Sequence, residues 1–175
     1  DDPVLADRLR LLRSHGGTRR TGPGLEFVEP GFNYRLSEIP AILGLSQVRR
    51  LDEILKDRRS TAARYDAALV GLEGATVLRA GASSQWSYQS YVVLLDNTID
   101  RDRVIELMGE GSIETTIGTY ACHQHPAFAP WSAGVALPNS AHHAEHSLTL
   151  PLVPGMDDHQ VERVVETLAR VIRRA

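Results

Sequence analysis

Between Gly31 and Leu51 the chain has to turn from a compact polar loop, centred on Asn33, directly into a helix. Ser37 followed by Glu38 reads as a helix start, and Pro40 is tolerated only in a first turn whose backbone N–H groups have no intrahelical partners. Ile39, Ile42, Leu43, Leu45, Val48 and Leu51 then supply the apolar positions of the helix. The helix start is expected to hold Asn33 and Arg35 in place, with Leu43 and Val48 as core positions whose truncation lowers stability. Asn33 and Arg35 both donate hydrogen bonds, and the arginine fork suits a phosphate or a carboxylate. Local sequence alone favours a plainer role, in which Asn33 closes a turn and Arg35 pairs with a surface acid.

The 175 residues, 42% of them hydrophobic, can bury a core as one medium domain or as a small domain with part of another. A formal net charge of -3 gives no basic field, so nucleic-acid binding has no compositional support. The single cysteine, Cys122, excludes an intrachain disulfide framework and a Cys-based structural zinc site, and fits a reducing cytoplasm. No apolar run approaches the ~20 residues of a membrane span, and no charged, cleavable leader opens the sequence. Asp2 caps a first helix with Pro3 at its first position, as in a chain entered midway, and the absence of Met at position 1 points the same way.

Residues 3 to 14 read as an amphipathic helix with Leu5, Leu9 and Leu12 on one face; His15-Gly16-Gly17 ends it. Thr18 to Pro30 carries glycine, proline and adjacent arginines without periodicity and reads as a loop. Helical patterning runs from Glu38 to about Leu72. That span is long for a globular helix, so a break near its middle is expected. Strand-like runs follow at 76–78, 88–95, 113–117 and 147–152, with helices at 101–108, 141–146 and from Asp157 or Asp158 onwards. This order makes an α+β layer, a small mainly antiparallel sheet backed by helices.

The seven histidines include His123-x-His125, and His142-His143 with His146 three residues on. Imidazole suits zinc, copper and nickel, but the spacing matches no zinc motif, and the last three cannot all face one ion from a helix. Cys122 and His123 are poor partners as nucleophile and base, because neighbours on an extended strand point to opposite faces. Lys56, the one lysine, sits among Asp57, Arg58 and Arg59. A Schiff-base lysine needs desolvation or a cationic neighbour to lower its pKa, and Lys56 reads as solvated.

The run Gly31-Phe32-Asn33-Tyr34-Arg35-Leu36-Ser37-Glu38-Ile39, with Ala41 to Gln47 and Leu51-Asp52 behind it, resembles the signature of the DegT/DnrJ/EryC1/StrS aminotransferases. Three further segments agree in order: Asp1-Asp2-Pro3 through Arg13-Ser14-His15-Gly16; Ile113 through His123; and Leu148-Thr149-Leu150-Pro151-Leu152 with Gly155-Met156. The resemblance implies the C-terminal part of a type I pyridoxal-phosphate (PLP) aminotransferase fold. Residues 1–58 would be the trailing segment of the large PLP-binding domain and the connecting helix, and residues 59–175 the C-terminal small domain. It implies a homodimer with composite active sites, acting on a nucleotide-linked keto sugar with glutamate or glutamine as amino donor. Asn33 would reach the phosphate of the partner subunit's PLP, while Arg35, Tyr120 and His123 would bind substrate. The family's Schiff-base lysine lies upstream of the position matching Asp1, so no catalytic residue is assigned here and the chain alone is expected to be inactive. A non-catalytic dimerisation or regulatory module of the family and a His-rich metal-binding domain are the competing readings.

Overall fold

The structure is a computed structural model and describes residues 1–19, 24–81 and 83–175, including all of Arg19 except its side chain. It forms two compact units, residues 1–50 and 51–175. The division expected at 58/59 falls within a helix of the second unit.

The first unit comprises α1 (Pro3–Arg13), β1 (Gly17–Arg19), β2 (Leu25–Phe27) and α2 (Glu38–Arg49). Asp2 caps α1 as expected, its carboxylate accepting from Val4 N–H at 2.9 Å and Leu5 N–H at 3.2 Å. The stretch read as a loop is corrected: Gly17–Arg19 pairs antiparallel with Leu25–Phe27, in the register Gly17 to Phe27 and Thr18 to Glu26. Strands this short leave no period to detect, and residues 20–23 lie outside the described residues.

The apolar residues of α2 differ from expectation too. Ile39, Leu43 and Val48 are 76%, 63% and 66% exposed, so Leu43 and Val48 are not core positions here. At 100° per residue, Ile39, Ile42, Leu43, Leu45 and Val48 spread around the whole circumference rather than along one stripe. A count of apolar residues therefore misled, because no single face could take them inward. Ser37 occupies the N-cap position, but its side chain makes no capping hydrogen bond.

The second unit holds α3 (Leu51–Ala68), β3 (Ala75–Val77), β4 (Tyr91–Leu95), α4 (Arg101–Glu110), β5 (Thr116–Ile117), α5 (Ala129–Ser132), α6 (Pro138–His146), β6 (Ser147–Leu150) and α7 (Asp158–Ile172). The expected helical break falls at Arg50, between α2 and α3. The four strands form one antiparallel sheet in the order β3-β4-β6-β5. Tyr91, Val93 and Leu95 alternate inward along β4, joined in the core by Leu148 and Leu150 of β6. Tyr65 and Leu69 of α3, Val104, Leu107 and Met108 of α4, and Val161, Val164 and Leu168 of α7 complete that core. This is the α+β layer expected.

Two strands are shorter than their sequence runs. β4 starts at Tyr91 rather than Tyr88, because Tyr88 has φ +47° and so breaks the extended run. β5 keeps only Thr116–Ile117; Ser112 is also left-handed, at φ +57°, and Ile113 enters the core from a loop. At the other end of the unit α7 begins with a reciprocal cap: Asp157 Oδ1 accepts from Gln160 N–H at 2.8 Å, and Gln160 Oε1 accepts from Asp157 N–H at 3.0 Å.

Candidate active-site residues

Asn33 sits in an isolated antiparallel bridge with Ser14. Backbone hydrogen bonds tie the two segments together on either side: His15 N–H to Phe32 O (2.8 Å), Phe32 N–H to Leu12 O (2.8 Å) and Tyr34 N–H to Arg13 O (3.0 Å). The backbones nearly touch at Gly16 and Gly31. A Cβ on Gly31 would lie 2.2 Å from Gly16 N, and one on Gly16 only 1.7 Å from Glu29 O. The loop is thus clasped by the end of α1, which is a correction to the expectation that the start of α2 holds it.

On this extended segment residues two apart share a side. Asn33 and Arg35 accordingly meet, with Arg35 Nε donating to Asn33 Oδ1 at 3.0 Å. On the other side the rings of Phe32 and Tyr34 stack at 5.0 Å, 10° from parallel. Arg35 Nη2 also lies 3.4 Å from His15 Nε2, where the guanidinium donates and the ring nitrogen accepts in the Nδ1–H tautomer. His15 itself is held at φ +64°. With its Oδ1 used by Arg35, Asn33 keeps Nδ2 as a donor with no partner among the described residues. All three side chains are exposed. His15 was read from sequence only as part of a helix stop. The signal that could have found it was its place in Arg13-Ser14-His15-Gly16.

Tyr120 and His123 belong to the second unit, and Asn33 and Arg35 to the first. Tyr120 is 65% exposed, its ring edge-on to His125 at 5.5 Å. His123 lies in a single 3-10 turn, Cys122–Gln124, with its Nδ1 buried and unpartnered. Buried Ala121 anchors the segment between them.

A sequence profile of the DegT/DnrJ/EryC1/StrS aminotransferase family matches residues 1–169. The chain belongs to this family. Among solved members, the aminotransferase TlmJ from Streptoalloteichus hindustanus is 29% identical with a TM-score of 0.85, over 99% of this chain and 46% of that one. The sugar aminotransferase CalS13 from Micromonospora echinospora is 27% identical, TM-score 0.82, over 97% and 45%. The PLP-form of a putative sugar aminotransferase, Spr1654 from Streptococcus pneumoniae, agrees in fold at 22% identity, TM-score 0.84, over 99% and 46%. The chain spans less than half the length of these structures.

The family's chemistry is PLP-dependent amino transfer, and the residues present suit one part of that cofactor. The free Asn33 donor beside the Arg35 guanidinium fits a phosphate. The ring's lysine partner finds no counterpart: Lys56 is exposed on α3. Elsewhere, no three His, Cys, Asp or Glu side chains among the described residues converge as a metal would require. His142 instead packs against His143 and His146, with centroids at 5.8 and 4.8 Å. Cys122 is exposed, and none of the described helices is long and apolar enough to cross a membrane.

Proposed function

We propose that this chain is the C-terminal part of a cytoplasmic, homodimeric PLP-dependent aminotransferase that places an amino group on a nucleotide-linked keto sugar, drawing it from glutamate or glutamine. Residues 1–58 belong to the large domain and connecting helix, and residues 59–175 form the small domain. The cofactor supplies the electron sink that lets the amino group change hands. Asn33 Nδ2 donates to the phosphate of the partner subunit's PLP. Arg35 orients Asn33 through its 3.0 Å hydrogen bond and keeps its remaining donors for the anionic part of the substrate, with Tyr120 and His123 lining the sugar. Proton transfer at the reacting carbon belongs to a lysine outside these residues, so the chain alone does not transaminate.

The observation that supports this reading is the Asn33–Arg35 pair, clasped by backbone and left with a free amide donor. Asn33→Ala in the enzyme carrying the lysine removes one hydrogen bond to a charged group, about 1.5 to 3 kcal/mol, so the cofactor's dissociation constant should rise roughly 10- to 150-fold. Equilibrium dialysis followed by absorbance of the retained cofactor measures it, and an unchanged constant removes Asn33 from the phosphate. Transamination by the isolated 175-residue chain would sink the claim that it is inactive alone.

A further inference from the structure

His15 stands at φ +64°, in the left-handed region that few non-glycine residues adopt, and Gly16 follows it at φ +69°. The backbone over-determines this turn: His15 N–H donates to Phe32 O at 2.8 Å and Gly16 N–H to Leu11 O at 2.9 Å. An imidazole kept where glycine would fit without strain calls for an account of what its ring does.

The ring meets the Arg35 guanidinium. Its Nε2 lies 3.4 Å from Arg35 Nη2, and a guanidinium can only donate, so Nε2 accepts and the proton of the neutral ring is on Nδ1. Arg35 Nε donates at the same time to Asn33 Oδ1 at 3.0 Å. The Nε and Nη2 hydrogens form one edge of the planar guanidinium, and His15 and Asn33 together take up that edge. What remains is the end of the fork, Nη1 with the second hydrogen of Nη2, a geometry that binds a carboxylate or a phosphoryl group through two parallel bonds.

Two contacts on one edge fix the plane of the group, whereas with Asn33 alone the guanidinium could swing about a single bond. A protonated ring would undo this, because an imidazolium has no lone pair to accept with and carries the same charge as Arg35. Charged groups on the elements around the turn are Arg13 at the end of α1, Glu26 on β2, Glu29 after it and Arg35. Glu29 is paired with Arg8 at 3.6 Å, and Arg35 is in contact with the ring.

We propose that His15 is a positioning residue: its neutral ring holds the Arg35 guanidinium against Asn33, so that the Asn33 amide and the end fork of Arg35 are presented as donors, and protonation of the ring releases them. Naming the anions they meet, the cofactor phosphate and the anionic part of the substrate, rests on the function proposed above; the contacts among the three residues do not.

The contacts are read first in the 175-residue chain without cofactor. Carbon-detected NMR follows Arg35 Nε and the Asn33 side-chain amide from about pH 8 to about pH 5, the range over which a histidine changes charge. Both signals should move along the titration curve of the His15 ring in the wild type. They should stay level in His15→Gln, whose amide oxygen accepts without titrating. His15→Gly deletes the ring at a φ that glycine adopts freely, so the turn is kept. In the enzyme carrying the lysine, His15→Gly should raise the dissociation constant of PLP roughly two- to tenfold by equilibrium dialysis, and His15→Gln should bring it back to within about twofold of the wild type. Acidification to about pH 5.5 should weaken binding by the wild type more than by His15→Gln; protonation of the phosphate itself acts on both and cancels in the ratio. Arg35 and Asn33 signals indifferent to His15, or PLP binding unchanged in His15→Gly while Asn33→Ala weakens it, overturns the positioning role. Tighter binding at acid pH by the wild type than by His15→Gln overturns it too, since that is the ring's charge acting on the phosphate. Signals that follow His15, with PLP binding unchanged in both His15→Gly and Asn33→Ala, keep the positioning role and refute the phosphate assignment.

Discussion

Asn33 and Gly31 are two positions apart and have opposite requirements. In the function proposed above Asn33 matters for what its amide offers; in the fold Gly31 matters for what it lacks. Gly31→Ala puts a methyl carbon 2.2 Å from Gly16 N, 2.6 Å from His15 C and 2.8 Å from Leu12 O, all of them backbone atoms that have no rotamer to change. The clasp must open, taking the Ser14–Asn33 bridge with it. Amide exchange at Phe32 and Tyr34 should speed up in Gly31→Ala while residues 51–175 keep their melting transition. Unaltered exchange at those amides would contradict the clasp. The pairing of Asn33 with Arg35 could be read from their spacing once the segment was taken as extended. The clasp could not, because it is made of backbone contacts between segments well apart in sequence and involves no side-chain pattern.

At the scale of elements, α7 and α2 illustrate when an apolar pattern can be trusted. α7 has Val161, Val164, Val165, Leu168 and Ile172 on one side, all buried, and both its start and its inward face were legible in the sequence. Its Asp157 cap accounts for part of its stability: Asp157→Ala should cost about 0.5 to 2 kcal/mol, seen as a lower urea midpoint with an unchanged slope. α2 was legible as a helix, yet its surroundings were not. With apolar residues all round and none buried, it resembles an interior element without its interior. Leu43→Ser should therefore change the stability of the 175-residue chain by less than about 0.5 kcal/mol, as an exposed substitution does. If the proposed homodimer uses this helix, the same change should weaken dimerisation in sedimentation velocity; a loss of several kcal/mol in stability would show that Leu43 is packed after all. Strand ends were misplaced at Tyr88 and Ser112 because a non-glycine residue at positive φ leaves no mark in propensity.

For the molecule as a whole, the core around the sheet has an alkaline limit. Tyr65 and Tyr91 stack at 4.8 Å, with Tyr65 OH donating to Pro151 O at 2.8 Å and Tyr91 OH donating to Asp66 Oδ1 at 2.6 Å. Burial raises the pKa of Tyr65 well above the ordinary tyrosine value. Burial does the same for Tyr91, reinforced by its hydrogen bond to Asp66 and that carboxylate's charge. In the unfolded chain both ionise near pH 10, so their contribution is complete below that pH. It is lost as the pH rises beyond it, by at most about 1.4 kcal/mol per pH unit for each tyrosine. The melting temperature should fall steeply above about pH 10. Tyr65→Phe should flatten that fall, even though it costs about 1 kcal/mol at neutral pH by leaving Pro151 O without its donor. An equally steep fall in the variant would exclude Tyr65 as its source. The α+β layer and the family were legible across nearly the whole chain, because ordered motifs add up. The stacking of Tyr65 on Tyr91 was not, because it joins α3 to β4, which only the folded sheet brings together.

The backbone clasp around Asn33 also separates position from identity. Since the hydrogen bonds that place residues 32 to 34 run through main-chain atoms, Phe32, Tyr34 and Arg35 can be exchanged for other side chains without moving the frame that carries them. On the function proposed above, single substitutions at this loop would change what it offers a substrate, each tried on a mount that stays still.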